Sequence, residues 1–409
     1  MVVGGGIAGM QAALDLADSG YYVYLVEKGS SIGGRMSQLD KTFPTNDCAM
    51  WIISPKLVEV GRHLNIELRT LSEVNEIKGS AGNFQVELLK TPRYIDESLC
   101  IACGLCAEKC PKKIEDKYNV GLVKRKSAYV EYAQAVPLKY CIDGDTCIYV
   151  QKGKCGACQK FCPTGAVDFD QKETTETLNV GSVVLAPGFD AFDPAQFDNY
   201  QYAKLPNVIT SMEMERILSS SGPSQGHLIR PSDHKEPQKI AWLQCVGSRD
   251  INHCDNGYCS AVCCMYAIKE AVIAKEHAKN GLDAAIFYMD MRTYGKEFEQ
   301  YYTRAGENGV RFVRSRIHSV DPVPETDNLS LSYVSEAGEI VNEEFDMVVL
   351  SVGLEVPQET LELAERVGVD LNHYRFASTS SFNPVETSKP GVYSCWMLQG
   401  PTEIPIAVM

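Results

Sequence analysis

The chain alternates between short apolar runs and stretches whose apolar residues recur every three or four positions. Val2-Val3 runs into Gly4-Gly5-Gly6. Met10, Ala13, Leu14 and Ala17 then fall on one face of a helix that Gly20 ends, and 22–27 reads as the next strand. Residues 66–70 and 84–89 alternate in and out, as half-buried strands do. An apolar run through 183–185 turns at Pro187-Gly188. Another strand covers 240–245. After it come a helical pattern over about 260–279, a strand over 284–289, a helix around 298–305 and a strand over 310–313. The apolar run 345–353 and the segment 391–395 close the chain, each followed by a glycine. Strands alternating with helices predict an α/β architecture of parallel sheets covered by helices.

The first turn carries specific chemistry. Gly4-x-Gly6-Ile7-Ala8-Gly9 sits between a strand and a helix, and Glu27 ends the second strand, with Lys28 beside it. Glycines let a backbone approach a pyrophosphate, the helix N-terminus faces the phosphates, and an acid at the end of the second strand takes ribose hydroxyls. Gly33-Gly34-Arg35 follows, a run found in FAD-binding flavoproteins and not in simple dehydrogenases, so the expected dinucleotide is FAD. The turn at Pro187-Gly188 resembles the second FAD-contacting segment of two-dinucleotide-domain flavoproteins, with Pro187 where an alcohol residue is usual. Gly353 and Gly400 mark two further approaches of backbone to the cofactor. The aspartate often found before the last one is replaced by residues 396–399.

Cysteine spacing adds a second chemistry. Eight cysteines fall between positions 100 and 162 as Cys100-x-x-Cys103-x-x-Cys106-x-x-x-Cys110-Pro111, then Cys147, then Cys155-x-x-Cys158-x-x-x-Cys162-Pro163. Three close thiolates and a distant fourth hold an iron–sulfur cube. Two matched runs predict two 4Fe–4S clusters, with zinc or structural thiols as the alternative. Crossed ligation, as in two-cluster ferredoxins, assigns Cys100, Cys103, Cys106 and Cys162 to one cube and Cys147, Cys155, Cys158 and Cys110 to the other. Cys141 is left over.

The second α/β unit lacks a glycine fingerprint. Its strand runs into Cys245-Val246-Gly247-Ser248-Arg249-Asp250, one glycine where three are expected, so nicotinamide binding is not expected there. Five cysteines crowd the region instead. Cys245, Cys259, Cys263 and Cys264 are candidate ligands of a third cluster, with Cys254 the substitute; buried thiols are the bland reading. Cys48 is expected near the flavin or as a buried thiol. Lys269, shortly after Cys264, is a candidate to stabilise a reduced, anionic flavin, against a solvated lysine.

The expected organisation is an FAD-binding Rossmann-like domain (1–92, 173–236 and 345–409), interrupted by a two-cluster ferredoxin domain at 93–172 and a nested thioredoxin-reductase-like α/β domain at 237–344. Both ends read as cut from a longer polypeptide. A net charge of −14 argues against nucleic acid and anionic membrane surfaces. No apolar run approaches ~18 residues, so no membrane span is expected. Sixteen cysteines in cluster spacing within a long chain fit a reducing cytoplasm.

Together these runs resemble the flavoprotein A-subunit family of heterodisulfide reductase. The resemblance is carried most specifically by Gln244-Cys245-Val246-Gly247-Ser248-Arg249-Asp250 and by Tyr258-Cys259-Ser260-Ala261-Val262-Cys263-Cys264-Met265-Tyr266-Ala267, with the run 54–63 in support. A shorter relative is the flavoprotein of the quinone-interacting membrane-bound oxidoreductase. The resemblance implies an electron-distributing component that passes electrons between FAD and clusters, in some members by flavin-based bifurcation. It also implies B- and C-like iron–sulfur partner subunits, a subunit that donates electrons, and a homo-oligomer within a complex. The rival is a stand-alone NAD(P)H-dependent iron–sulfur flavoprotein reductase.

Overall fold

The computed structural model describes residues 1–408; Met409, the last residue of the predicted final segment, lies outside them. Two parallel sheets of five strands organise the chain. The first has the order Val392–Ser394, Val183–Leu185, Val2–Val3, Val23–Val26, Ile66–Arg69. Its face is covered by the helix Ile7–Asp18, whose Met10, Ala13, Leu14 and Ala17 are all buried. The helix Ala49–Arg62 packs beside it.

The second sheet has the order Val208–Thr210, Met347–Val352, Lys239–Val246, Asp283–Phe287, Val310–Val313. Trp242 and the helix Cys263–His277 form the centre of its core. This arrangement corrects one expectation. The strand within 345–353 does not return to the first sheet; it lies within the second, and Val208–Thr210 joins it from the other side of the predicted boundary. A mostly apolar run such as Met-Val-Val-Leu-Ser-Val is buried on both faces in any parallel sheet, so its composition does not say which sheet it joins.

A separate antiparallel sheet pairs Asn83–Lys90 with both Ser72–Ser80 and Thr174–Val180. Lys90 and Thr174 are direct register partners. The segment between them therefore leaves and returns at touching positions. Its own interior is small: Ile95, Ala128, Ile142, Ala166 and Val167 are buried together with Cys100, Cys106, Cys110, Cys147 and Cys158. Half of that core is thiol. Apolar burial on this scale is too little to hold a unit of this size without a staple.

Candidate cofactor site

The first strand ends at Val3 and the helix begins at Ile7, so the turn between them consists of Gly4, Gly5 and Gly6. Its glycines are not equivalent. Gly4 has φ 108°, and a Cβ there would overlap the Ala186 carbonyl oxygen. A Cβ on Gly9 would overlap the Gly4 carbonyl oxygen, and one on Gly34 would press on the Gly6 Cα. These three are required by protein packing alone. Gly6 differs: its φ of −73° suits any residue, and a Cβ there would meet nothing within 4 Å. No protein atom demands a glycine at Gly6. The open space in front of it, at the N-terminus of an α-helix, has the chemistry to cradle a pyrophosphate. The residues fit a dinucleotide.

Glu27 is half-buried, and the Gly5 and Gly29 N–H groups donate to its carboxylate at 2.7 and 2.6 Å. Burial raises its pKa above the usual carboxylate range, partly offset by those two donors. The predicted ribose acid thus also fixes the glycine turn. Lys28 pairs with Glu359 on the surface. Arg35 pairs with Asp190 at 3.0 Å and leans over the Phe189 ring. Ala186 N–H donates to Val3 O at 2.8 Å, which brings Pro187 and Gly188 to the edge of the glycine turn. Gly400 follows Val392–Ser394 in the first sheet, with open space where a Cβ would stand. Gly353 is not with them. It ends a strand of the second sheet, where a Cβ would press on Gly247 O and the side chains of Ser248 and Ser260. Its predicted place at the first-sheet cofactor is corrected for the same reason as its strand.

The 90–174 excursion folds back over the Gly33-Gly34-Arg35 loop. Ile32 N–H donates to Val136 O at 2.9 Å, Tyr132 hydroxyl donates to Ile32 O, and Tyr118 hydroxyl donates to Ser37 O. Arg216 donates to Gln38 O at 2.8 Å and Asn119 Oδ1 at 3.0 Å, with its guanidinium over the Tyr118 ring. Sequence reasoning missed this clamp. One signal was available: Thr210-x-x-Glu213 forms a capping box that starts the helix Ser211–Leu218, which carries Arg216.

Within the excursion, Cys100, Cys103, Cys106 and Cys162 line one cavity together with Tyr140 and Thr164. Burial, with smaller contributions from Cys100, Cys158 and Cys103, pushes the Cys106 thiol up to about 12. Burial likewise pushes Cys158 up to about 11, with Cys147 and Cys110 contributing. Cys155 lies on an exposed loop with φ 96°, a sparsely populated conformation for a non-glycine residue. Among the described residues, no three such side chains are grouped tightly enough to hold a single metal ion. A cube differs from an ion in needing its thiolates spread around a body of several atoms. Cys141 is buried beside Arg93 and Arg125, apart from these groups.

The second sheet departs from a dinucleotide fold at the same point in its topology. Its central strand ends at Val246 and the following helix begins only at Cys263. The loop between them closes on itself: Arg249 N–H donates to Tyr258 O, and Asp250 and Asn256 exchange backbone bonds. A Cβ on Gly247 would strike the Phe192 ring. The helix starts later than the pattern predicts, at Cys263 instead of about 260, which leaves Cys259 in the loop and puts Cys263 and Cys264 in the first turn. Cys245 sits in the left-handed region, φ 62°, at a register shift between Leu243 and Val246, a strained position of the kind that accompanies functional sites. Burial raises Cys263 well above its ordinary value, and Cys245, Cys264 and Cys259 add to it. Burial also pushes Cys264 up to about 12, with Cys245 and Cys259 contributing. The four candidate thiols are therefore close enough to act on one another electrostatically. Cys254 is not among them: its thiol is 3.4 Å from Asp250 O, facing other acids. Cys48 precedes the helix Ala49–Arg62, half-buried.

Lys269 is neither solvated nor free. Its ammonium lies 2.5 Å from Glu215 and donates to Lys41 O at 2.7 Å. Next to it, Trp242 Nε1 donates to Glu270 at 3.0 Å, and burial holds Glu270 well above the usual carboxylate range. The charge expected to be available to a reduced ring is committed to a buried ion pair at the contact between Cys263–His277, Ser211–Leu218 and the 39–48 loop.

Two parallel sheets joined in this order, the first with a glycine turn, define a flavin-type dinucleotide oxidoreductase. The chain belongs to the pyridine nucleotide-disulphide oxidoreductase family, whose pattern matches residues 1–395. Its relatives narrow this further. Over its whole length it is 46% identical to the iron-sulfur A-subunit of CoB--CoM heterodisulfide reductase from Methanocaldococcus jannaschii, covering 62% of that protein. It is 44% identical to the A-subunit of H(2):CoB-CoM heterodisulfide,ferredoxin reductase from Methanothermobacter thermautotrophicus, covering 61% of it. The A-subunit resemblance carried by the 244–250 and 258–267 runs is thus borne out, and the chain spans about three fifths of the length of these relatives. The fold is also similar to that of T. acidophilum thioredoxin reductase, with a TM-score of 0.53 at 15% identity over 100% of this chain and 92% of that one. Among the described residues, no helix is long and apolar enough to cross a membrane.

Proposed function

We propose that this chain is the FAD- and iron–sulfur-carrying electron-transfer component of a heterodisulfide-reductase-like complex. FAD bound at the Gly4–Gly9 turn would exchange electron pairs, and 4Fe–4S clusters would carry single electrons onward. The single observation that carries the reading is the cavity lined by Cys100, Cys103, Cys106 and Cys162: three near neighbours in sequence and one cysteine from the far end of the excursion. The thiol-rich core of the excursion supports it, because a cluster would supply the missing staple.

In this reading residues 93–172 are an inserted two-cluster ferredoxin domain, and the FAD-binding parts flank it. The nested α/β domain reaches from about 208 to 352, wider than the sequence pattern alone gives. Cys245, Cys259, Cys263 and Cys264 hold a third cluster where a nicotinamide loop would otherwise stand. The N-terminus of Cys263–His277, which would face a pyrophosphate, instead faces thiolates, whose negative charge it also favours. Gly4, Gly6, Ile7, Ala8, Gly9, Glu27, Gly34, Arg35, Pro187, Gly188 and Gly400 line the flavin; Lys269 and Glu215 brace the wall beside it. The partners are B- and C-like iron–sulfur subunits and a subunit that donates electrons, and the cytoplasm is the compartment.

Purified without oxygen, the protein should hold about one FAD and at least eight irons, the number two cubes require. Cys103→Ser should damage one cluster and spare FAD. Four or fewer irons in well-loaded protein would sink the two-cluster reading.

The stand-alone reductase is disfavoured by the self-closed 247–262 loop and by the Phe192 ring against Gly247. Titration with NADH, followed by flavin bleaching, should show slow or no reduction. Rapid stoichiometric bleaching without any partner would promote the reductase in its place.

A further inference from the structure

Glu27 shares its place with a second acid. Glu131, carried by the 90–174 excursion, reaches the same loop: Ser31 Oγ donates to its Oε2 at 2.9 Å, with Ser30 Oγ at 3.4 Å. The two carboxylates border one point. A Cβ on Gly29 would stand 3.1 Å from Glu27 Oε1 and 3.7 Å from Glu131 Oε2. Both residues are half-buried. The cations that act on them are engaged elsewhere, Lys28 with Glu359 and Arg125 with Asp143 at 3.1 Å. Burial raises the Glu131 carboxyl above its usual range, Ser31 offsets part of that, and Glu27 adds to it. Glu27 already accepts one backbone N–H on each oxygen. Among the described residues, both hydrogen bonds to Glu131 fall on Oε2, and Oε1 is left open. The segment that bears it is fixed: Tyr132 hydroxyl donates to Ile32 O, and Ile32 N–H donates to Val136 O at 2.9 Å.

We propose that Glu131 is a second ribose-binding acid, so that the adenosine-side diol of FAD donates one hydroxyl to Glu27 and the other to Glu131. The excursion then supplies part of the nucleotide site and is more than a carrier of cysteines. Two carboxylates at one point repel each other, and donors that bind both offset the cost of burying them. A vicinal diol brings two hydroxyl donors on adjacent carbons, one for each acid. Hydrogen bonds from hydroxyls to ionised carboxylates are among the stronger ones. A carboxylate that served only to pin Ser30 and Ser31 would gain nothing from standing beside Glu27. The inference rests on the FAD reading above; it does not need iron.

The test displaces FAD from the anaerobically purified holoprotein with ADP, 2′-deoxy-ADP and 3′-deoxy-ADP, and follows the fluorescence of the released flavin. Wild type should prefer ADP to each deoxy analogue. Glu131→Gln keeps the size of the side chain and an acceptor for Ser31, and removes the charge. It should weaken ADP about tenfold and leave one of the two deoxy analogues unchanged, because the hydroxyl that Glu131 holds is already missing there. FAD should leave the variant about tenfold faster, with circular dichroism and iron content as in wild type. Glu131→Ala should show the same selectivity more strongly. If both variants lose all three nucleotides alike, Glu131 only shapes the loop and the proposal is overturned. ADP binding equal to wild type overturns it too, as does a wild type that does not distinguish one of the deoxy analogues from ADP. Those results in a wild type that holds FAD remove the second acid alone. Wild type that purifies without flavin and takes none up removes the FAD reading and the second acid together.

Discussion

Gly6→Val should yield a folded protein that holds no flavin. The backbone at Gly6 is already in a region open to every residue, and a Cβ there meets no protein atom within 4 Å. The Cβ itself therefore adds no internal clash. What it fills is the space at the N-terminus of Ile7–Asp18, where a pyrophosphate would accept from backbone N–H groups. Forcing a branched side chain into a close contact costs roughly 1–3 kcal/mol when the surroundings can relax, and a phosphate fixed at both ends relaxes little. FAD affinity should fall by about 100-fold, which corresponds to the upper end of that range. Flavin absorbance and FAD retention after gel filtration measure the loss, and circular dichroism shows that the fold survives. Gly9→Ala is the contrasting case: its Cβ overlaps the Gly4 carbonyl oxygen, so the turn itself should break and the folded yield should drop. Full flavin content in Gly6→Val would remove the dinucleotide from this turn.

Cys263→Ser should remove about four irons and leave those of the 100–162 cysteines in place. Serine nearly matches cysteine in size, so the core around the helix Cys263–His277 is preserved and only the thiolate is lost. Cys263 is buried, in the first turn of that helix, with Cys245, Cys259 and Cys264 as its neighbours. Cys245, Cys263 and Cys264 are buried and Cys259 partly so, with Arg249 beside Cys245 and Arg292 near Cys259; ionising thiols in such a core is costly, and a cluster would add compensating positive charge. The excursion that holds the eight other candidate ligands joins the rest of the fold at Lys90 and Thr174, well apart in sequence from this helix. Iron content and the low-temperature EPR of the reduced protein read the change. An iron count equal to wild type, with unaltered spectra, would return these four cysteines to the status of core thiols.

Much of the fold is legible along the chain because the signals are local. The glycine turn announces itself by composition, and the face Met10, Ala13, Leu14, Ala17 by its period. Four strands of the second sheet, Lys239–Val246, Asp283–Phe287, Val310–Val313 and Met347–Val352, appear close to their observed ends as apolar runs. Cysteine ladders are legible for the same reason, since three thiols at i, i+3 and i+6 need no tertiary information to be recognised. The helix Ala49–Arg62 is less legible because Pro55 interrupts its interior and Trp51, Ile52 and Val58 leave apolar residues on its exposed side. The hairpin Leu329–Val334 and Ile340–Phe345 escapes notice because its polar alternation resembles loop.

The sequence by itself determined the α/β class, the cofactor-type turn and which cysteines are close neighbours along the chain. Only the tertiary structure decided which sheet Met347–Val352 joins and that Tyr118, Tyr132 and Arg216 clamp the excursion over the Gly33-Gly34-Arg35 loop. It also decided that Lys269 is held by Glu215. The physical reason is range. Periodicity and spacing record what a residue's neighbours in the chain require. Sheet membership, ion pairs between distant helices and the convergence of thiols depend on which surfaces pack against each other, and an apolar run or a lone charge carries no mark of its distant partner.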